Sequence, residues 1–209
     1  DPNTIVDDHK FEGGPSNATN TYAGKIPLRY AVAKSLNTVA WQVYEQVTPK
    51  VGLQYLKNMN FSSIVKDDYT LATSLGGFTK GVSPLEMASA YAALENDGMF
   101  RQPNCIKSIV DADENVVYSS QMAEVSIYEK DATRTMTDVL TTVMDSGTGA
   151  ALKLSNMPCA GKTGTTNDHK DGWFVGYTRY YTTSVWVGCD YPKSISNLSG
   201  STYPGQIWK

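Results

Sequence analysis

Apolar and polar positions change their period several times along the chain, and each change predicts an element. Residues 1–24 are polar and turn-rich, with Gly13-Gly14-Pro15-Ser16-Asn17 at their centre. They read as an extended, irregular segment with no element to anchor the start. From Pro27 the spacing becomes helical: Leu28, Ala31, Val32, Ser35, Val39, Ala40 and Val43 follow i, i+3, i+4. Pro27 suits the first helical turn. Residues 49–82 mix short helix with loop. Ser83-Pro84-Leu85-Glu86 is a helix start, with Ser83 as N-cap and Glu86 closing a capping box. That helix runs to about Asn96, stops at Gly98, and buries Met87, Ala88, Tyr91, Ala92 and Leu94. Short strands follow at Ile106–Val110 and Val116–Tyr118, joined by an acidic turn. A second helix starts at an N-cap near Asp131 and buries Met136, Val139, Leu140, Val143 and Met144. Ser146-Gly147-Thr148-Gly149 ends it as a C-cap and loop at a cleft rim.

Three strand-like runs close the chain: Cys159–Thr165, Gly172–Thr178 and Thr182–Cys189. Arg179-Tyr180-Tyr181 is the turn between the last two. Such a meander makes an antiparallel sheet. Helices in the middle and strands at one end predict an α+β fold with an antiparallel sheet packed against helices.

Composition narrows the classes. The 209 residues are 41% hydrophobic and 19% charged, with a net charge of −3. That suffices for one large domain or most of one, and is too acidic for a nucleic-acid surface. Cys105, Cys159 and Cys189 are far apart and form no Cys-x-x-Cys, so no zinc or redox signature is present. Asp111, Asp113 and Glu114 lack the glycine and distal glutamate of a calcium loop. Neither a metal nor a cofactor is expected.

The chemistry concentrates in Ala160-Gly161-Lys162-Thr163-Gly164-Thr165-Thr166. On a strand, Lys162 and Gly164 point one way and Thr163 and Thr165 the other. Glycine in a strand marks the close approach of another backbone or a ligand. The stretch is therefore one wall of a cleft, with a cation, a gap and paired hydroxyls. A phosphate loop is excluded: the glycine it needs five places before Gly161 is Asn156, and Pro158 interrupts it. Alone, a Lys-Thr-Gly triplet arises by chance in roughly one such chain in ten, so the partners decide. Ser35-Leu36-Asn37 lies inside an apolar helical stretch, where serine and asparagine are poor residues. It marks either a capped helix junction or a function. Ser63-Ile64-Val65-Lys66 matches Ser-x-x-Lys, but in a polar loop behind Ser35, and reads as a decoy. There is no Gly-x-Ser-x-Gly, and His9 and His169 sit in polar loops, so a Ser-His-Asp hydrolase is poorly supported.

Taken jointly, the motifs resemble a known family. Ser35-Leu36-Asn37, Gly76-Gly77, Gly81-Val82-Ser83-Pro84-Leu85-Glu86, Lys162-Thr163-Gly164-Thr165-Thr166 and Asp171-Gly172-Trp173-Phe174-Val175-Gly176-Tyr177 come in the order of the transpeptidase domain of penicillin-binding proteins. Thr166 and the Trp-Phe-Val-Gly-Tyr run are most similar to the class A, bifunctional kind. The resemblance runs from about Tyr22 to Lys209. It implies a penicillin-binding-protein/β-lactamase-like fold, incomplete at both ends. No Ser-x-x-Lys precedes Ser35, and the chain stops at Ile207-Trp208-Lys209, short of a final helix. Residues 1–209 would then be the C-terminal part of one transpeptidase domain, without its nucleophile, and inactive alone. An apolar surface between Leu28 and Val47 would be left uncovered.

The resemblance further implies a D,D-transpeptidase that cross-links peptidoglycan stem peptides through an acyl-serine and is acylated by β-lactams. Ser35 would shuttle a proton, held by Lys162. Asn37 would offer its amide to the substrate backbone. Thr163 and Thr165 would hold the terminal carboxylate, and Gly164 would leave room for substrate along the strand. The Thr165 N–H would be half of the oxyanion hole. Stem peptides, β-lactams and the missing N-terminal segment as a separate chain are the expected partners. The expected location is the extracytoplasmic face of the bacterial membrane, anchored by a segment outside this chain. A penicillin-sensing or structural module without turnover, or a D,D-carboxypeptidase or β-lactamase relative, are the alternatives.

Overall fold

The computed structural model describes all 209 residues, Asp1–Lys209. The first segment holds more structure than its polarity suggests. β1 (Ile5–Asp8) pairs antiparallel with β2 (Gly24–Pro27), Ile5 opposite Pro27 and Asp8 opposite Gly24. The expectation of an irregular, unanchored start is corrected. The signal was masked because the inward residue at the end of β1 is a buried carboxylate, Asp8. Pro27 is the last residue of β2 and the N-cap of α1 (Leu28–Lys34), one position outside the helix.

The helical pattern from Leu28 is two helices. α1 ends at Ser35 in the left-handed conformation (φ 57°, ψ 50°), Leu36 is extended, and α2 runs Asn37–Val47. The serine and asparagine break the helix as their competing hydrogen bonds predict. Ala31, Ala33 and Val39 are buried, whereas Tyr30 and Val47 are exposed. The expected bare apolar surface is therefore reduced to the ends of this pair. α3 (Pro49–Asn58) and two short 3-10 turns, Lys66–Asp68 and Leu71–Leu75, lead to α4 (Pro84–Glu95). Its capping box is complete: Ser83 Oγ accepts from the Glu86 N–H at 3.2 Å and the Ser83 N–H donates to Glu86 Oε2 at 2.7 Å.

Two nested hairpins follow. β3 (Met99–Arg101) pairs with β6 (Glu124–Ser126), enclosing β4 (Ser108–Val110) paired with β5 (Val116–Ser119). α5 spans Lys130–Ser146. Its N-cap is Glu129, so Asp131 lies in the first turn instead of capping it. Val139, Leu140, Val143 and Met144 are buried as the periodicity predicts, but Met136 is exposed. The sheet meets the face of α5 that carries Thr137, Leu140 and Val143, with Thr137 Oγ1 2.9 Å from the Tyr177 hydroxyl, and Met136 lies outside that face.

The main sheet has the order β7 (Ala160–Thr165), β8 (Gly172–Tyr177), β9 (Thr182–Val187), all antiparallel. Tyr177 and Ala160 face α5 with Tyr91 and Leu94 of α4 alongside. Phe174 faces the other way, against Met144, Leu152, Cys159 and Trp208. Trp208 belongs to α6 (Tyr203–Trp208), a short terminal helix the sequence pattern did not reveal. The sheet is thus sandwiched between helices, the expected α+β arrangement.

Candidate active site

β7 pairs with one strand only, Lys162 opposite Val175 and Gly164 opposite Trp173. Gly161 is there for packing. A Cβ on Gly161 would lie 2.8 Å from the Phe174 ring and 3.0 Å from the Val175 carbonyl oxygen. The ladder leaves the other edge of β7 unpaired, an open row of backbone donors and acceptors.

Lys162 and Ser35 are 127 positions apart in sequence, yet Lys162 Nζ donates to Ser35 Oγ at 2.8 Å. It also donates to its neighbour's carbonyl, Thr163 O, at 2.9 Å. No carboxylate pairs with this lysine. Burial without a compensating anion disfavours the charged form and pulls Lys162 down to about 8. The left-handed backbone at Ser35 aims its hydroxyl at β7. Asn37, the first residue of α2, donates from Nδ2 to Ser16 O at 2.9 Å.

Thr163 and Thr165 share the face opposite Lys162, as strand alternation predicts. Thr163 Oγ1 lies 2.6 Å from Thr148 Oγ1. Thr165 Oγ1 accepts from the Gly200 N–H at 3.0 Å. Thr148 escaped the sequence reading, because Ser146–Gly149 looks like a plain helix terminator. It does terminate α5, and it also ties the two walls together. The Thr148 N–H donates to Ala33 O at 3.0 Å, and Lys34 Nζ donates to Ser146 O at 2.8 Å.

A cleft of about 650 Å³ opens beside Lys162; Ser35 and Asn37 do not line it, and Ser35 joins it through its bond from Lys162. Phe78, Met87 and Tyr91 form one side, Trp173 and Trp186 the other, with Lys162 to Thr166 along it. Asp171 braces the far end, accepting from Trp186 Nε1–H at 3.0 Å and from the Thr166 hydroxyl at 3.1 Å. Lys80 also reaches this cleft. His169 does not: its Nδ1–H donates to Leu198 O at 2.7 Å, a structural bond in the loop. Ser63 and Lys66 line no part of the cleft and share no hydrogen bond; Lys66 only opens a 3-10 turn. The arrangement offers a cation against a hydroxyl, an amide nearby, and a strand edge, but no second serine aimed at Lys162.

The family model of the penicillin binding protein transpeptidase domain matches residues 1–201. Penicillin-binding protein 4 of Bacillus subtilis (strain 168) is 34% identical over 93% of the chain and 31% of its own length. Penicillin-binding protein 1A of Aquifex aeolicus (strain VF5) is 36% identical over 93% of the chain and 26% of its own length. The chain thus spans about a fifth to a third of the curated relatives it matches. Among solved structures, PonA1 from Mycobacterium tuberculosis in complex with penicillin V superposes with a TM-score of 0.83 at 24% identity, over 98% of this chain and 61% of that one.

Proposed function

The chain belongs to the penicillin-binding protein transpeptidase domain family, whose work is cell-wall cross-linking, and on that premise we propose that residues 1–209 form the relay-and-clamp part of a peptidoglycan D,D-transpeptidase. They are the C-terminal part of one such domain, and the acylated serine comes from a segment of the longer protein outside these residues. The observation that carries this reading is the 2.8 Å contact between Lys162 Nζ and Ser35 Oγ.

The chemistry runs as acyl transfer through a serine. The serine oxygen bonds to the carbonyl carbon of the penultimate D-alanine of a stem peptide. The C–N bond to the terminal D-alanine breaks; the Ser35 hydroxyl passes a proton to the departing nitrogen, and the proton lost by the attacking serine replaces it. Lys162 stabilises negative charge developing on Ser35 as that proton moves. An amine from a neighbouring strand then attacks the acyl-serine, forming the cross-link and freeing the serine. Asn37 holds the substrate backbone, and Thr163 and Thr165 hold its terminal carboxylate. The Thr165 N–H serves as half of the oxyanion hole, and Gly164 lets substrate lie along β7 as an added strand. A β-lactam enters as the same acyl donor, but its leaving nitrogen stays tethered. No helix of the structure is long and apolar enough to cross a membrane. On this reading the domain works outside the cytoplasm, tethered by another part of the longer protein.

The test is labelling with a tagged penicillin, followed by mass. The 209 residues alone should form no adduct. Adding the N-terminal Ser-x-x-Lys segment, in the same chain or as a separate one, should restore it, followed by transfer to an amine acceptor. An adduct on Ser63 of the isolated chain would overturn the assignment of the relay and of the missing serine. Acylation without any transfer would favour a penicillin-sensing module.

A further inference from the structure

Three buried polar side chains lie behind the Ser35–Asn37 corner, and the cross-linking chemistry has no use for them. Asp8 and Thr38 are almost wholly buried, and Asn17 nearly so. Asp8 Oδ1 accepts from the Thr38 hydroxyl and from Asn17 Nδ2, the latter at 2.8 Å. Asp8 Oδ2 accepts from the Ala23 N–H at 2.7 Å. No lysine or arginine pairs with this carboxylate. Burial by itself raises the carboxyl, but the Thr38 hydroxyl, the Asn17 amide and the Ala23 N–H overrule it and hold Asp8 below the usual carboxylate range. A buried charge without a counter-ion is costly unless every lone pair is used. Here each oxygen is used, and what it holds is the helix that begins at Asn37.

α2 begins without a cap of its own. Its N-cap is Leu36, whose side chain can accept nothing. The leading N–H groups of a helix need partners. One comes from outside the helix: Asn17 Oδ1 accepts from the Thr38 N–H at 3.3 Å. Asn17 is in turn held by Asp8 and by its second donation to Thr21 O at 2.9 Å. Its neighbour Ser16 accepts from Asn37 Nδ2. Gln42, a turn further along α2, donates to Asp7 O at 3.1 Å.

We propose that Asp8, with Asn17 and Thr38, is a positioning lock that fixes where Ser35 and Asn37 stand relative to Lys162. Asp8 touches no substrate and takes no proton. It acts by holding a borrowed helix cap in place, so that the corner meets β7 at hydrogen-bonding distance. This inference rests on the transpeptidase reading of Ser35, Asn37 and Lys162.

Asp8→Asn keeps the shape and removes the charge. Whichever way the new amide turns, an N–H donor faces either Ala23 N–H or the Thr38 and Asn17 donors. Thr38→Val removes one donor at constant volume, and Thr38→Ser restores the hydroxyl. The readout is the rate of acylation by a tagged penicillin in the full-length protein, per folded molecule, well below the melting temperature. Displacing a reacting group by about 1 Å can cost about 100-fold. Asp8→Asn and Thr38→Val should each lose about 10- to 100-fold, and Thr38→Ser should recover most of the loss. Met59→Ala, in the core cluster with Phe61 and Phe100, lowers stability without touching the corner and should leave that rate unchanged. If Asp8→Asn does not fold, the Thr38 pair decides alone. Asp8→Asn or Thr38→Val acylating within twofold of the parent overturns the lock, as does Met59→Ala losing as much as they do. Lys162→Ala in the same assay separates the two ideas. If it abolishes acylation while the lock variants do not, only this inference fails; if it too has no effect, the functional reading fails first.

Discussion

The two walls that meet at the Lys162–Ser35 hydrogen bond are built on different principles. The Lys162 wall is a strand whose position is set by repeated backbone bonds to β8, residue against residue from Ala160–Tyr177 to Thr165–Gly172. The Ser35 wall is a corner between two helices, one of which is seven residues long, and it is set by a few polar bonds from β1, the loop that carries Asn17 and the Thr148 turn. One wall spreads its constraint over a ladder and a packed core. The other concentrates it in Asp8, Asn17, Thr38 and the turn carrying Thr148. Single substitutions at ladder positions outside the Lys162–Thr165 functional set, such as Gly161, should therefore be felt mainly as stability, and single substitutions near the corner mainly as reactivity.

The largest effect tests where the walls meet. Lys162→Ala in the full-length protein should reduce acylation by about 10²–10³, the usual cost of losing a preorganised electrostatic partner, with the fold intact by melting curve. Acylation within threefold of the parent would remove Lys162 from the mechanism. Its pH dependence sharpens the point. Folded Lys162 loses its proton near 8, so if the cation is the working form, acylation should decline as pH rises through about 8. Lys162→Arg, charged throughout, should lack that decline even if slower overall. Stability carries the opposite sign. The folded state binds fewer protons than the unfolded chain between about 8 and the ordinary lysine value, so stability rises with pH across that interval. The slope should vanish in Lys162→Ala.

A smaller effect is expected on the far face of β7. Replacing Thr163 and Thr165 together by valine should slow acylation by carboxylate-bearing β-lactams, and much less by their esters. Both hydroxyls are already engaged, Thr163 with Thr148 and Thr165 with the Gly200 N–H. The loss should therefore be graded: each bond to a charged acceptor contributes about 1.5–3 kcal/mol. Equal losses for acid and ester would place the carboxylate elsewhere.

The smallest effect on chemistry, with a clear effect on folding, belongs to the ladder itself. Gly161→Ala forces a methyl against the Phe174 ring and the Val175 carbonyl. Overpacking of this kind costs about 1–3 kcal/mol. Denaturation should show that loss while the acylation rate of the folded fraction changes little. A rate loss larger than the stability loss would mean the strand wall is as finely poised as the corner, and the contrast between them would fail.

Much of this was legible along the chain because it is local. The capping box at Ser83 and Glu86, the stripe of α5 from Val139 to Met144 and the meander of β7, β8 and β9 depend on residues a few positions apart. Strand alternation likewise places Lys162 and Thr163 on opposite faces before any contact is known. Ser35 and Asn37 declare a break in a helix by their side-chain chemistry. What the pattern did not show is non-local and polar. Asp8 reads as a solvated residue because nothing nearby reveals that Asn17 and Thr38 will close over it. Thr148 reads as a helix stop because its partner, Thr163, is 15 positions away. Met136 follows the apolar period yet stays exposed, since which part of the helix surface its neighbours will cover is not written in the helix. The 2.8 Å contact between Lys162 and Ser35 could be inferred only from a resemblance. Its physical cause is the docking of α1 on α5 and of α5, with its Thr148 turn, against β7, and that is settled by which surfaces meet when the chain folds.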